Sequence, residues 1–285
     1  APMIGFGKEG NLSKYSASVG VKNWDSVDQL KGALINNDVQ IAATPAYVAA
    51  NLYNKGQDVR LVSPVVWGML YVVGPADAPK GDWKTLKGKK VAISMPGNMP
   101  DLVFSYLLKK NGLDRKDIEV VNAADGQQAM QKIASGEADY AVLPEHVATL
   151  AQAKLKEKGK EITRVFNLQE EWAKVTGKKA RFPMAGLVMP GNLVDSRPGL
   201  PAAVRAEVKA SVDKANAGDA ATLQAIADHY KLPVDVVKQV IPRLQLDVVP
   251  AKEAKADYED FLKRLGEVNP KIYGGKLPDD KFYAE

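Results

Sequence analysis

The sequence predicts an α/β protein of two lobes with mainly parallel sheets, joined by a two-segment hinge with a cleft between the lobes. The first observation is an internal repeat, in which residues 28–52 align with residues 127–151. The second is a pair of long apolar segments, Arg60–Pro75 and Phe182–Pro190, which bracket the region that holds the second copy. Such segments on both sides of one copy are expected where a chain crosses between two similar lobes.

Both copies of the repeat predict the order β-α-β-α. Apolar residues three and four apart indicate a helix between two short runs with the composition of strands. A proline then opens the next helix, where it costs no hydrogen bond. The predicted strands are Ser18–Lys22 and Gln40–Ala43 in the first copy and Asp117–Asn122 and Asp139–Leu143 in the second, and the prolines are Pro45 and Pro144. Asn23 and Asn122 would then hold matching sheet positions.

The domain boundaries follow from the two crossings. Lobe one is predicted to comprise residues 1–74 and 185–285, and lobe two residues 75–184. Lobe two has an additional strand, Lys89–Met95, that leads through a turn into a helix at Pro100–Asn111. The equivalent strand of lobe one would precede Ala1. Its absence here has two explanations on the sequence: the chain has been shortened, or the first sheet lacks this strand. The remaining predicted helices are 199–217, 219–230, 233–244 and 251–266, and the final residues, which end in Pro-Asp-Asp-Lys-Phe-Tyr-Ala-Glu, are predicted to form a surface tail.

The composition excludes several kinds of chemistry. The chain of 285 residues has no cysteine, which removes disulfides, thiol nucleophiles and cysteine-ligated metals. It has two histidines, His146 and His229, too few for a histidine-rich metal site. The net charge of +5 comes from lysines at loops and helix ends rather than from a basic stripe, which argues against a nucleic-acid partner. No membrane span and no catalytic motif emerges, so we expect no catalytic residue, no metal and no cofactor.

A glycine motif stands at the start of the chain. Gly5, Gly7 and Gly10 have the spacing G-x-G-x-x-G, and Asp25 follows at about the distance of the acidic residue in dinucleotide-binding folds. In those folds the motif follows a strand and opens a helix, and here almost nothing precedes it. The sequence therefore favours a glycine-rich turn over a nucleotide site.

Three strand-to-helix turns are candidate binding positions, because ligands of open α/β sheets bind beyond the carboxyl ends of strands. In the turn Pro96–Asp101, backbone N–H groups would form an anion site, unless Asn98 or Asp101 merely caps the helix. Thr44 and Tyr47 stand at the equivalent turn of the first copy. Glu145 and His146 stand at that of the second copy, where Glu145 alternatively balances the helix dipole and His146 is alternatively an exposed first-turn residue. Each of Tyr47 and His146 offers an aromatic face and a polar tip.

The order and spacing of several segments resemble one protein family. They are Trp24–Leu30, Ala43–Pro45 with Ala49–Gly56, Leu86–Ala92, Gly97–Asp101, Ala134–Asp139 and Gln169–Gly177. With them the chain up to about Pro190 resembles the bacterial solute-binding proteins of ABC importers in the type II periplasmic fold. It looks most like the branch that includes nitrate, sulfonate, taurine and thiamine-precursor carriers.

The resemblance implies that a small solute is captured in the cleft between the lobes, that the hinge closes, and that the solute passes to a membrane permease. It implies a periplasmic or lipid-anchored extracytoplasmic protein that acts as a monomer, with its signal peptide removed or left out of this chain. Trp67 would either pack the hinge or form the floor of the cleft. The candidate ligand-binding residues are Met3, Trp24, Thr44, Tyr47, Trp67, Asn98, Met99, Glu145, His146 and Met184.

Two other functions stay open on the sequence. One is an enzyme on the same fold, of the type found in menaquinone synthesis, and the other is a sensor or scaffold lobe that contacts a partner protein. For a solute carrier, the turns around Thr44, Glu145 and Pro96–Asp101 contain no Arg or Lys, whereas a fully charged phosphate normally draws one. We therefore expect a small organic solute that is neutral or weakly anionic and has a flat or apolar body.

Overall fold

The computed structural model describes residues 2–24 and 26–285 and divides them into two compact units. The first unit comprises the described residues up to Trp67 together with Pro183–Gly266 and Pro270–Glu285. The second unit comprises Gly68–Phe182 and Glu267–Asn269. Asp25, the acidic residue that follows the glycine motif, lies outside the described residues.

The helices and strands alternate through the first two-thirds of the chain, and helices follow. The strands are β1 (Ala42–Pro45), β2 (Val59–Val66), β3 (Leu70–Pro75), β4 (Lys90–Ser94), β5 (Glu119–Ala123), β6 (Tyr140–Pro144), β7 (Ile162–Asn167) and β8 (Ala185–Pro190). The helices are α1 (Val27–Ile35), α2 (Ala46–Asn54), α3 (Met99–Lys110), α4 (Gly126–Ser135), α5 (Glu145–Glu157), α6 (Leu168–Thr176), α7 (Gly191–Ser196), α8 (Leu200–Asn216), α9 (Ala220–Tyr230), α10 (Val234–Val240) and α11 (Ala251–Gly266).

The sheet of the first unit has three strands in the order β1-β8-β2, and both pairings are antiparallel. Pro45 and Val66, the last residues of β1 and β2, both lie opposite Ala185, the first residue of β8. Gly186 follows, and a Cβ atom there would lie 2.5 Å from the carbonyl oxygen of Ser63. Only glycine therefore lets β8 approach β2 this closely.

The sheet of the second unit has five strands in the order β5-β4-β6-β3-β7. β4 pairs in parallel with β5 and with β6, whereas β3 runs antiparallel to both of its neighbours, β6 and β7. The face of this sheet towards α4 and α5 is filled by small and branched residues, among them Ala92, Ala141 and Leu143 against Ile133 and Val147.

The α/β class is confirmed, but the prediction of mainly parallel sheets is wrong for the first unit and only partly right for the second. The reason is the path of the chain. β2 ends at the edge of its sheet where β8 begins, so β8, placed between β1 and β2, must run against them. β3 likewise begins at the edge where its neighbours end. It pairs within the second unit, although the sequence boundary after residue 74 assigns most of β3 to lobe one.

The repeat is visible as two copies of a helix-strand-helix arrangement. α1, β1 and α2 form it in the first unit, and α4, β6 and α5 form it in the second, each copy with its strand in a different sheet. Pro45 and Pro144 end the two strands at the position just before the following helix, as predicted.

The strand predicted at Ser18–Lys22 is absent from the described residues, and Asn23 lies outside any strand. Asn122, its predicted counterpart, lies in β5 opposite Ile93 of β4. The difference has a physical reason. β5 is held by hydrogen bonds to β4, and the three-stranded sheet of the first unit has no equivalent of β4 beside which Ser18–Lys22 could form a strand.

The glycine motif forms a turn that binds a carboxylate of the same chain. Gly7 and Gly10 adopt positive φ values of 85°, which favour glycine. The buried carboxylate of Glu207 on α8 accepts the N–H groups of Glu9 and Asn11 at 2.7 and 2.9 Å. This geometry agrees with the interpretation of the motif as a glycine-rich turn. The amides of the turn bind the carboxylate of Glu207.

The helices after Pro198 form as predicted, but the predicted surface tail does not. Phe282 and Tyr283 are buried, and Ala284 donates its N–H to the carbonyl of Leu61 at 2.8 Å. The ring of Phe282 lies 5.8 Å from that of Tyr258 on α11. Since Leu61 belongs to the edge strand β2, the last residues cover backbone that would otherwise be open to other strands.

The C-terminal segment is therefore expected to stabilise the first unit. Phe282→Ala removes a fully buried aromatic side chain and is expected to lower the free energy of unfolding by about 3–5 kcal/mol. Urea denaturation measures this change. The control is Tyr230→Ala, which truncates an aromatic side chain that is 49% exposed and should cost far less. A Phe282→Ala variant as stable as the wild type would contradict this packing.

Candidate functional site

In the first unit, several candidate residues lie near one edge of the sheet, where β1 and β2 end and β8 begins. Ala46, the first residue of α2, donates its N–H to the carbonyl of Met184 at 3.0 Å. Met184 in turn donates its own N–H to the carbonyl of Val66 at 2.8 Å. These two bonds hold the start of α2, the end of β2 and the beginning of the returning segment together at this edge, called edge 1 below.

Thr44, Tyr47 and Trp24 lie at or beside edge 1. The hydroxyl of Thr44 is buried and bonds to the carbonyl of Pro45 at 3.3 Å. The indole N–H of Trp24 donates to the carbonyl of Ala43 at 3.0 Å, and 38% of this side chain is exposed. Of these three side chains, Trp24 thus offers the largest exposed apolar surface.

Tyr47 is nearly fully buried at the second position of α2. Burial raises the pKa of Tyr47 to about 12, and the negative charge of Asp28 acts in the same direction. The phenol is therefore neutral at physiological pH and keeps its proton as a hydrogen-bond donor.

Trp67 and Met3 do not contribute side chains to the surface at edge 1. Trp67 is fully buried, and its indole N–H donates to the carbonyl of Asp247 at 2.8 Å, which favours the interpretation that it packs the crossing. Met3 belongs to the N-terminal turns, and Gly5 in the same turns donates its N–H to the hydroxyl of Ser211 on α8. Those turns are bound to a helix rather than to edge 1.

The second unit has a comparable edge, called edge 2 below. Strands β4, β5, β6 and β7 end there and β3 begins there, since Leu70 lies opposite Pro144 and Tyr71 opposite Asn167. Helices α3, α4, α5 and α6 therefore begin at edge 2, and the turn before α3 and the first residues of α5 carry Asn98, Met99, Glu145 and His146. The first residue of α5 repeats the bond seen at edge 1, as Glu145 donates its N–H to the carbonyl of Met69 at 2.7 Å.

The turn before α3 does not present its amides as predicted. Gly97 donates its N–H to the carboxylate of Asp101 at 2.8 Å, and Asn98 donates its N–H to the carbonyl of Met95 at 3.0 Å. Met99 is buried. The prediction of an open anion site at Gly97–Met99 is therefore wrong for the amides of Gly97 and Asn98. The alternative of a capped turn is correct, and the carboxylate of Asp101 accepts the N–H of Gly97.

The side chain of Glu145 is fully buried and belongs to a polar cluster inside the second unit. The guanidinium of Arg164 on β7 binds both of its carboxylate oxygens, at 2.6 and 3.1 Å, and the hydroxyl of Thr149 donates at 2.7 Å. The guanidinium also lies over the ring of Tyr71, 5.3 Å from its centre. Glu145 thus holds α5 onto the sheet, and its carboxylate is engaged within the protein. Arg164 was missed because no motif marks it.

His146 is half-buried at the second position of α5, the position that Tyr47 holds in α2. Burial lowers the pKa of His146 below its ordinary value, although Glu145 opposes this shift. The imidazole is therefore neutral at pH 7 and can act as a hydrogen-bond donor at one nitrogen and an acceptor at the other.

Met95 at edge 2 was also missed by the sequence analysis. It follows β4, adopts a positive φ of 55°, and exposes 36% of its side chain. A positive φ is unfavourable for methionine, so the turn holds this residue in a strained conformation. The strained conformation is visible only in the backbone angles. The exposed part of the Met95 side chain adds apolar surface to the carboxyl edge of the sheet.

Neither a metal centre nor a membrane span is found in the parts of the chain that the structure describes. Within residues 2–24 and 26–285, no three acidic or histidine side chains converge as metal ligands would. No helix in these ranges combines the length and the apolar character needed to cross a bilayer.

Comparison with known proteins identifies the family. A family model described as "ABC transporter, phosphonate, periplasmic substrate-binding protein" matches residues 17–226, which is most of the chain. The chain therefore belongs to this family, and the resemblance to the solute-binding proteins of ABC importers is confirmed.

Individual proteins agree with this assignment. An ABC transporter structure from Parabacteroides distasonis is 26% identical, with a TM-score of 0.75 over 94% of this chain and 89% of that one. The periplasmic aliphatic sulphonate binding protein SsuA from Escherichia coli has a TM-score of 0.78 over 100% of this chain and 88% of its own, and at 14% identity it shows the fold alone.

A curated relative matches over a shorter stretch. YtlA of Bacillus subtilis (strain 168), which its name describes as a binding protein, is 34% identical over 85 residues. The match covers 30% of this chain and a quarter of the length of YtlA.

The ion pair of Glu145 and Arg164 is expected to be essential for stability. Arg164→Met leaves a fully buried carboxylate without its cation and should lower the free energy of unfolding by about 3–5 kcal/mol. The double variant Glu145→Gln/Arg164→Met should recover much of this loss, because no charge then stays buried. Urea denaturation measures both. The control Lys209→Met breaks an exposed pair with Asp213 and should cost less than about 1 kcal/mol, and an equal loss for Lys209→Met and Arg164→Met would contradict the prediction.

The pKa of Tyr47 predicts a specific loss of stability in alkali. Because the folded-state pKa of about 12 lies above the ordinary value of 10.0, folding favours the neutral phenol. This contribution is complete below pH 10 and is lost as the pH rises towards 12. Tyr47→Phe should therefore lose less stability than the wild type over this range, as measured by urea denaturation at several pH values. Equal losses for the two proteins would contradict the assigned pKa.

Proposed function

We propose that this chain is the solute-binding component of an ABC importer and delivers a small solute to a membrane permease. The proposal is supported above all by the equivalence of the two edges. At each, a proline ends a strand, the first amide of the next helix is bound to the incoming segment, and an aromatic residue follows, Tyr47 at edge 1 and His146 at edge 2.

The candidate side chains of each unit combine apolar surface with an uncharged polar tip. In the first unit these are Trp24 and Tyr47, and in the second unit they are Met95 and His146. They support a solute with an apolar body and a polar end. Two guanidinium groups bind carboxylates at the helix starts of edge 2, Arg164 at Glu145 and Arg115 at Asp101. These two positive charges are therefore neutralised within the protein, which supports a neutral or weakly anionic solute over a dianion.

The remaining parts of the proposal concern how the protein works. The chain acts as a monomer outside the cytoplasm, periplasmic or lipid-anchored, and returns its solute chemically unchanged, with no cofactor and no nucleic-acid partner. The carboxylate of Glu145 is fully buried and bound by Arg164 and Thr149, so it is engaged in holding α5 on the sheet.

The test begins with the solute that copurifies with the protein, identified by native mass spectrometry and titrated calorimetrically. Tyr47→Ala is expected to weaken its binding by about 2 kcal/mol, roughly 30-fold, and His146→Ala by a similar or smaller amount. Recovery of a chemically altered solute after incubation would contradict the carrier role and support an enzyme.

The control uses a matched residue away from the edges. Tyr53→Ala changes a second tyrosine of α2, one that donates to Asp279 at 2.5 Å. This control should bind the solute as the wild type does. Unchanged affinity in both Tyr47→Ala and His146→Ala, with native circular dichroism, would place the binding site elsewhere.

A further inference from the structure

The outer side of β1, the side that faces away from β8, has no paired strand within residues 2–24 and 26–285. β1 pairs with β8 alone. Its equivalent in the repeat, β6, pairs with β3 on one side and in parallel with β4 on the other. The repeat matches Ala42 with Ala141 and Ala43 with Val142. The first sheet therefore contains the antiparallel neighbour found in the second sheet and lacks the parallel one.

The alternation of bonds between β1 and β8 directs the backbone of Ala43 outward. Ala46 donates its N–H to Met184, which sets the positions at which the two segments exchange hydrogen bonds. Ala43 and Leu187 lie opposite each other between two such positions. In an antiparallel pair, residues at these intermediate positions point their N–H and C=O groups away from the partner strand. Ala43 thus offers one donor and one acceptor to a strand on the outer side.

A side chain takes the place of a neighbouring strand at this acceptor. In the second unit, the carbonyl of Val142 accepts the hydroxyl of Ser94 on β4 at 3.0 Å. In the first unit, the equivalent carbonyl of Ala43 accepts the indole N–H of Trp24, also at 3.0 Å. Trp24 lies outside any strand, and 38% of its side chain is exposed. The carbonyl that meets β4 in one copy is therefore bound by a partly exposed side chain in the other.

β1 lacks two features that usually protect edge strands, charged side chains and β-bulges. Its sequence is Ala-Ala-Thr-Pro, and its pairing with β8 has no register shift. Its proline, Pro45, is the last residue, where α2 begins. The other edge strand of this sheet, β2, is covered by the bond from Ala284 to Leu61. In Ser18–Lys22, which has the composition of a strand, Val21 exposes 53% of its side chain. Apolar surface suited to a sheet is thus left exposed in this unit.

We propose that the outer side of β1 binds an extended peptide segment as an additional parallel strand. The occupant has the pattern of β4, with small and β-branched side chains, because the repeat places β4 on the equivalent strand β6. Its backbone bonds to the N–H and C=O of Ala43, and the indole of Trp24 leaves this carbonyl. In such strand addition the backbone bonds supply affinity and alternate side chains supply specificity. This inference goes beyond the proposed function and does not depend on the solute.

The experiment supplies this strand from the chain's own sequence at high effective concentration. A copy of Lys89–Met99 is fused directly before Ala1, which gives the copied strand the same spacing from β1 that β4 has from β6. Hydrogen exchange measured by NMR should show the amide of Ala43 exchanging about tenfold more slowly than in the wild type, or slower still. The indole N–H resonance of Trp24 should shift, because its acceptor is taken.

The matched control is the same fusion with Ala92→Pro and Ile93→Pro in the copied segment only. Proline has no N–H, so this copy cannot form the ladder and should leave Ala43 exchanging as in the wild type. Free peptide of the sequence Lys89–Met95 tests the same site without any fusion. At millimolar concentration it should shift the Ala43 amide resonance of the wild type in a saturable manner.

Two results would overturn the proposal. One is that neither a natively folded fusion nor the free peptide changes the exchange or the resonance of the Ala43 amide. The other concerns the wild type alone. If it sediments as a dimer and Ala43 becomes protected as the protein concentration rises, the occupant is a second copy of the chain rather than a separate peptide segment. Solute binding is measured independently, so its failure would not be confused with either result.

Discussion

In each unit, one hydrogen bond joins the first amide of a helix to the residue just before the strand on which the chain enters that sheet. Ala46 bonds to Met184 at edge 1, and Glu145 bonds to Met69 at edge 2. The start of a helix has amides without partners in the helix, and the arriving segment has carbonyls not yet in a sheet, so one bond satisfies both. The same bond brings the proline, the helix start and the crossing together. Tyr47 and His146 directly follow the two bonded residues in the chain.

Buried carboxylates hold the remaining loops in place. Glu207 binds the amides of the glycine-rich N-terminal turn, Asp101 binds the turn before α3, and Glu145 ties α5 to β7 through Arg164. In each case a carboxylate on or beside a helix accepts several donors, which meets the requirement that a buried charge be paired. Positions at which a sequence motif points to an external anion are thus supplied with an anion by the chain itself.

The internally bound cations and carboxylates bear on what this member of the family binds. The family model carries the description of phosphonate carriers, and the fold is shared with a sulphonate-binding protein. What a member of such a family binds depends on its site, since one fold accommodates many ligands. Here Arg115 and Arg164 bind carboxylates of the same chain, and Trp24 and Met95 keep part of their apolar surface exposed.

The sequence by itself determined the α/β class, the helix-strand-helix repeat, the prolines at the helix starts and the family, because these depend on local periodicity and on the order of short segments. Only the tertiary structure decided the direction of β3 and β8, the burial of Phe282, and the partners of Glu145, Asp101 and the glycine turn. Strand direction depends on the edge of the sheet at which the chain enters after each crossing. The partners of Glu145, Asp101 and the glycine turn are single residues that lie far along the chain or belong to no motif. The local sequence pattern contains no information about which distant side chain binds a given amide or carboxylate. Glu207, Arg115 and Arg164 could therefore be recognised only in the folded structure.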